Sequence, residues 1–207
     1  MTEGKIRLCD ETRFGFGWIE AEPALLARAS HALRVDGRVW LVDPVDGPEV
    51  DAHVRALGEP AGVVQLIDRH DRDCAVLAER YGVPHHRVPL DSLPGSPFEV
   101  IRILDVPGWH EAALWWRDER VLVCTEALGT AYFLGPDERL GVHPLLRLYQ
   151  PKALREIARS LSPRHVLVGH GEGIHGDDVA GAVSAAVRSA RRGAPRWIGH
   201  QIRRRRR

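Results

Sequence analysis

Apolar positions along the chain fall in short runs separated by turn residues, the spacing of alternating strands and helices. Residues 38–42 (RVWLV) and 61–67 (AGVVQLI) are continuous apolar runs, as expected of strands covered on both faces. Residues 5–19 read as one or two strands and residues 23–33 as a short helix. Residues 48–57 read as a second helix, opened by Pro48 and carrying Val50, Val54 and Leu57 on one face. An amphipathic helix over 74–81 is stopped by Gly82 and Pro84.

Residues 83–104 read as short strands broken by a loop holding Pro89, Pro94 and Pro97. Strand-like runs follow at 114–117 and 120–124, the two making a hairpin, and at 131–134. Helices are expected at 144–149 and 152–161, a strand at 165–168, then a glycine-rich loop and a long helix over 177–192. The order is mixed α/β: two β-rich halves flanked by helices.

At 207 residues, 44% hydrophobic and 28% charged, the chain has the length and composition of one globular domain. It contains no run near the roughly 20 apolar residues that cross a bilayer, and MTEGKIRLCDETR lacks a signal peptide's apolar core. A soluble, cytoplasmic protein without a membrane partner is therefore expected. Cys9, Cys74 and Cys124 form no CxxC pair, so reduced thiols are expected. The formal charge of +1 hides an asymmetry. Residues 188–207 hold nine Arg and no acid, which leaves −8 on residues 1–187.

Four segments offer chemistry. After the second buried strand come Asp68, Arg69, His70, Asp71, Arg72, Asp73 and Cys74, where side chains can converge on a ligand; Asp71 or Asp73 could equally cap the next helix. Pro107-Gly108-Trp109-His110-Glu111 presents an imidazole and a carboxylate at a turn, although a loop His is commonly solvent-facing. Glu126 stands where a strand runs into a turn. Gly169-His170-Gly171 closes a strand with glycines that permit close approach. Gly171, Gly173 and Gly176 also spell G-x-G-x-x-G, but the following helix runs into an Arg-rich tail and no second strand with an acid follows, as a dinucleotide site needs.

In this order the segments resemble the metallo-β-lactamase superfamily over residues 5–190. The resemblance implies an αββα sandwich of two mixed sheets flanked by helices, with residues 1–192 as one domain and 193–207 as a basic tail. The family's His-x-His-x-Asp-His motif is altered. Aligning Asp73 with the family Asp puts Arg69 and Asp71 at the first two His positions; placing His70 at the second His puts Asp68 first and Arg72 at the Asp. Pro-Gly-His has become Pro-Gly-Trp-His, and the family's Gly-Asp-x-Leu has become Thr125-Glu126-Ala127-Leu128. Gly169-His170-Gly171 matches.

The resemblance implies zinc or another divalent metal held by His70, Asp73, His110, Glu126 and His170, with Asp73 also in a catalytic role. It implies hydrolysis of a small ester, thioester or lactone by a bound hydroxide. The alternative is a member of the fold without metal, in which Arg69 or Arg72 pairs with Asp71, Asp73 or Glu126 and the protein binds or scaffolds. The Arg tail could attract nucleic-acid phosphates or an acidic partner, or be a solvated end.

Overall fold

The computed structural model describes residues 6–20, 27–89, 91–131 and 138–204. In chain order the first half comprises β1 (Ile6–Thr12), β2 (Gly15–Glu20), β3 (Ala29–Val35), β4 (Arg38–Val42), α1 (Val50–Leu57), β5 (Glu59–Gln65), α2 (Cys74–Tyr81) and β6 (His85–Arg87). The second half comprises β7 (Phe98–Val106), β8 (Trp109–Trp116), β9 (Val121–Cys124), β10 (Leu128–Gly129), β11 (Gly141–Val142), α3 (Pro144–Leu148), α4 (Lys152–Ser160), β12 (His165–Val168), β13 (Ile174–His175) and α5 (Val179–Arg204).

β1 to β6 form one sheet in sequence order, antiparallel from β1 to β4 and parallel from β4 to β6. The second sheet runs β13-β12-β9-β8-β7, with β12 parallel to β9 and the other pairs antiparallel. β10 and β11 make a separate small ribbon.

The period-two alternation of a strand distributes its side chains between two cores. In β4, Trp40 and Val42 enter the layer between the sheets, while Val39 and Leu41 face α1 and α2. In β9, Val121 and Val123 point between the sheets and Leu122 and Cys124 toward α4 and α5. Leu167 of β12 faces inward between Val166 and Val168, which face the helices. Both faces of these central strands are thus buried, which is why they read as unbroken apolar runs. The layers are α1 and α2, sheet, sheet, and then α3, α4 and α5: an αββα sandwich.

Three expectations from the sequence change. The helix expected over 23–33 is replaced, in its described part, by β3; Ala32 and Leu33 are buried on opposite faces of a central strand, so packing overrides the helix preference of Ala and Leu. β8 begins at Trp109, which places His110 within a strand and not on a loop. The long C-terminal helix continues through Pro195 to Arg204, past the boundary expected at residue 192. The strand expected over 131–134 lies outside the described residues after Ala131. No helix among the described residues is long and apolar enough to cross a membrane.

Gly62 pairs directly with Trp40 across β4 and β5, and a Cβ there would stand 2.6 Å from the indole ring. The Gly62→Ala variant is expected to lose about 1–3 kcal/mol through overpacking. Urea denaturation should show a lower midpoint at unchanged slope, and Trp40→Leu in the same chain should recover part of the loss.

Candidate metal centre

The polar segment after β5 is fixed residue by residue. Asp68 accepts hydrogen bonds from the His110 backbone N–H at 2.8 Å and lies 2.5 Å from His110 Nδ1, so the exit of β5 is tied to the start of β8. Arg69 Nη1 donates to Glu126 Oε2 at 3.0 Å, and its guanidinium lies over the Trp109 ring at 4.6 Å. His70 Nε2 lies 3.2 Å from Glu126 Oε1, and its buried Nδ1 has no hydrogen-bond partner among the described residues. Asp71 turns outward to Gln65 and Arg87.

Arg72 takes the left-handed conformation, φ 48°, and turns its guanidinium inward. Nη1 donates to the carbonyls of Ala29 and Asp43, and Nη2 to that of Gly169 at 2.9 Å. Asp43, itself at φ 44°, accepts from Leu66 N–H at 3.0 Å and from the Thr125 hydroxyl at 2.6 Å. Left-handed non-glycine residues are costly and persist where their surroundings hold them. Here each helps to hold the other.

Glu126 follows β9. Its N–H and that of Ala127 both donate to Glu111 Oε1 at 2.8 Å, and the Trp109 indole donates to Glu111 Oε2 at 2.9 Å. Glu111 is fully buried, and burial raises its pKa to about 7 against those three donors. Glu126 is nearly as enclosed. Burial alone would raise its pKa, but the neighbouring imidazoles of His170 and His70 and the charge of Arg69 outweigh it and hold the carboxyl well below the usual range.

His170 lies at the end of β12, its Nε2 3.8 Å from Glu126 Oε1. The flanking glycines are required by contact: a Cβ at Gly169 would meet the Thr125 carbonyl at 2.6 Å, and one at Gly171, φ 92°, would meet Thr130 Oγ1 at 2.2 Å. Asp10 of β1 accepts from Gly173 N–H at 2.9 Å, anchoring the same loop to the other sheet.

His70, Glu126 and His170 therefore offer three ligand atoms within 4.8 Å of one another, from segments 56 and 44 residues apart in sequence. The structure does not bring the other two sequence candidates into this group. His110 is held between Asp68 and Asp105, the latter 3.3 Å from Nε2. Asp73 stands at the N-terminus of α2 without capping it through its side chain; its carboxylate accepts from Asp46 N–H at 2.8 Å and pins the loop before α1. Cys74 is buried among the apolar side chains under α2, and burial pushes its thiol pKa up.

Three site residues were not singled out by the sequence. His143, before Pro144 at the start of α3, accepts Leu145 N–H on Nδ1 and lies 3.8 Å from Glu126 through Nε2; burial lowers its pKa to about 4. The His-Pro pair at a helix start was the available signal. Glu111 and Trp109 were visible only as neighbours of His110.

The donor set fits one divalent ion. The Nε2 atoms stand 3.2 and 3.8 Å from the shared carboxylate oxygen, spans that metal–ligand bonds of about 2.0–2.2 Å can close. Two His and a carboxylate suit zinc or ferrous iron. Arg72, whose Nη2 donates to the carbonyl of Gly169, the residue before His170, adds a fixed positive charge on this side of the group, and a guanidinium repels further cations.

No family model and no curated protein sequence matches the chain. Solved structures do. DIM-1 metallo-β-lactamase exposed to ceftazidime superposes with a TM-score of 0.58 at 13% identity, covering 92% of this chain and all of that one. The putative diflavin flavoprotein A 5, fragment 1–254, from Nostoc sp. PCC 7120 gives 0.61 at 12% identity, covering 92% of this chain and 98% of that one. With the two mixed sheets, their flanking helices and the polar cluster at one sheet edge, these matches establish that the chain has the metallo-β-lactamase fold.

Proposed function

We propose that the protein is a hydrolase-like member of this fold that works with one divalent metal, zinc foremost, held by His70, Glu126 and His170. The observation that carries this reading is the convergence of those three ligand atoms within 4.8 Å. Bound there, the ion would supply Lewis acidity and bring the pKa of a coordinated water toward neutrality, the chemistry that ester, thioester or lactone hydrolysis needs.

The chain's own residues prepare the site. Arg69 and His143 engage Oε2 of Glu126 and leave Oε1 facing the two histidines. Because His143 Nδ1 accepts a backbone N–H, its neutral ring carries the proton on Nε2, on the side of the carboxylate. Glu111 holds the Glu126 backbone in place, as a supporting shell does for a ligand. The Arg69 side chain is 38% exposed and His70 30%, whereas that of His170 is 2%. A substrate therefore enters on the Arg69 side, where the guanidinium can orient a polarised carbonyl oxygen.

One observation favours the second reading, a fold member without metal that binds a partner. The Arg69 guanidinium pairs with Glu126 at 3.0 Å and can satisfy the carboxylate in place of a metal ion.

Titration calorimetry with zinc should give one equivalent per chain, not two, and at least tenfold weaker binding for His170→Ala and for Glu126→Gln. Zinc-loaded protein should cleave a nitrophenyl ester, a thioester or a lactone, and the two variants should not. Arg69→Met separates the readings. Removing a neighbouring cation tightens zinc binding under the first, while under the second it only strands Glu126 and lowers stability. Absence of metal uptake by the wild type sinks the hydrolase reading. Independently, Arg72→Met should lose about 3–5 kcal/mol in chemical denaturation, because the acceptors it serves and the nearby Asp43 carboxylate are left without a cation.

A further inference from the structure

On α4, Arg155 and Arg159 are four residues apart, and on α5, Arg188 and Arg191 are three apart, so each pair shares a helix face. The two helices pack together, and the four arginines line one groove of about 390 Å³. Arg155 and Arg191 are tethered to the backbone carbonyls of Gln150 and Leu148. None of the four sits against a carboxylate among the described residues, whereas Arg7, Arg13, Arg80 and Arg117 elsewhere are each paired with one. The groove therefore holds uncompensated positive charge on a body that is otherwise acidic.

The second observation is apolar. Leu145, Leu148 and Tyr149, at α3 and its C-terminus, are 62%, 69% and 66% exposed. The hydrogen bond from Arg191 Nε to the Leu148 carbonyl, 3.2 Å, sets them beside the arginine groove. Ile198, two turns beyond Arg191 on α5, is 51% exposed. Large exposed apolar side chains grouped at a charged groove mark an interaction surface. A nucleic acid would use the arginines and leave two leucines in water. A bilayer surface uses both, its anionic headgroups meeting the arginines and its acyl boundary the apolar side chains.

We propose that the face formed by α3, α4 and α5 docks peripherally on an anionic lipid bilayer. Lipid phosphates lie along the arginine groove, and Leu145, Leu148 and Tyr149 enter the headgroup boundary. α3 starts from His143, which lies 3.8 Å from Glu126, so one short helix connects the docking face to the candidate metal centre. Arg203 to Arg207 add charge at the same end of the sequence.

The test is co-sedimentation of the full chain with phosphatidylcholine vesicles and with vesicles containing phosphatidylglycerol. Wild-type protein should sediment only with the anionic vesicles, and less as salt rises. The Arg159→Glu/Arg188→Glu variant, which keeps the arginine tail, should bind at least ~10-fold more weakly. Leu145→Ser/Leu148→Ser should also weaken binding while remaining salt-dependent. Both pairs are exposed, so thermal melting should be unchanged and report that the variants are folded. The proposal is overturned if the wild type ignores anionic vesicles or if both folded variants bind as the wild type does, the tail then being the attachment. It is equally overturned if duplex DNA is retained through the arginine pair while vesicles are not.

Discussion

A guanidinium turned away from water must find acceptors nearby, and those given to Arg72 come from three different strand ends. Ala29 opens β3, Asp43 closes β4 and Gly169 follows β12, so one side chain joins the two sheets where the candidate site lies. Hydrogen bonds to a charged donor are the strong ones, about 1.5–3 kcal/mol each. They offset the left-handed backbone at both Arg72 and Asp43. Position 72 thus carries a cation that knits the sandwich at the strand ends around the candidate site.

The other buried polar groups extend this end of the fold. Asp43 is bonded to Leu66 and Thr125, which fixes the exit of β5 relative to that of β9. Glu111 takes the next two N–H groups, and Glu126 emerges with its two oxygens turned to different neighbours. A carboxylate as buried as Glu111 is expensive unless bonded, and it is bonded three times. The geometry at His70, Glu126 and His170 is therefore inherited from strand ends held rigidly, the arrangement that precise ligand placement demands.

α3 links the site to the outer face. Its first turn brings His143 to Glu126, and its exposed side carries Leu145, Leu148 and Tyr149 beside the α4–α5 groove. A movement of this five-residue helix would be felt at both places, because His143 caps it through Nδ1. Residues 1–187 are net acidic and the C-terminal segment is basic, a charge asymmetry along the sequence.

The sequence by itself determined the layered α/β architecture, because buried strands bounded by turn residues and amphipathic helices closed by Gly or Pro are local signals. It also determined His70, Glu126 and His170 as site candidates, since a His between glycines or an acid at a strand exit stands out at short range. β3 was not legible: a short Ala- and Leu-containing segment buried on both faces carries neither a strand's alternation nor a reason to avoid helix. Nor could the sequence choose between Asp73 and Arg72 at the motif, because a one-residue shift of register looks equivalent along the chain. What the tertiary structure adds is where each side chain goes. Asp73 is drawn to the Asp46 backbone and His110 to Asp68, while His143, remote in sequence, is delivered by a helix start. Which donors converge depends on long-range packing between strand ends, and residue order does not encode that distance.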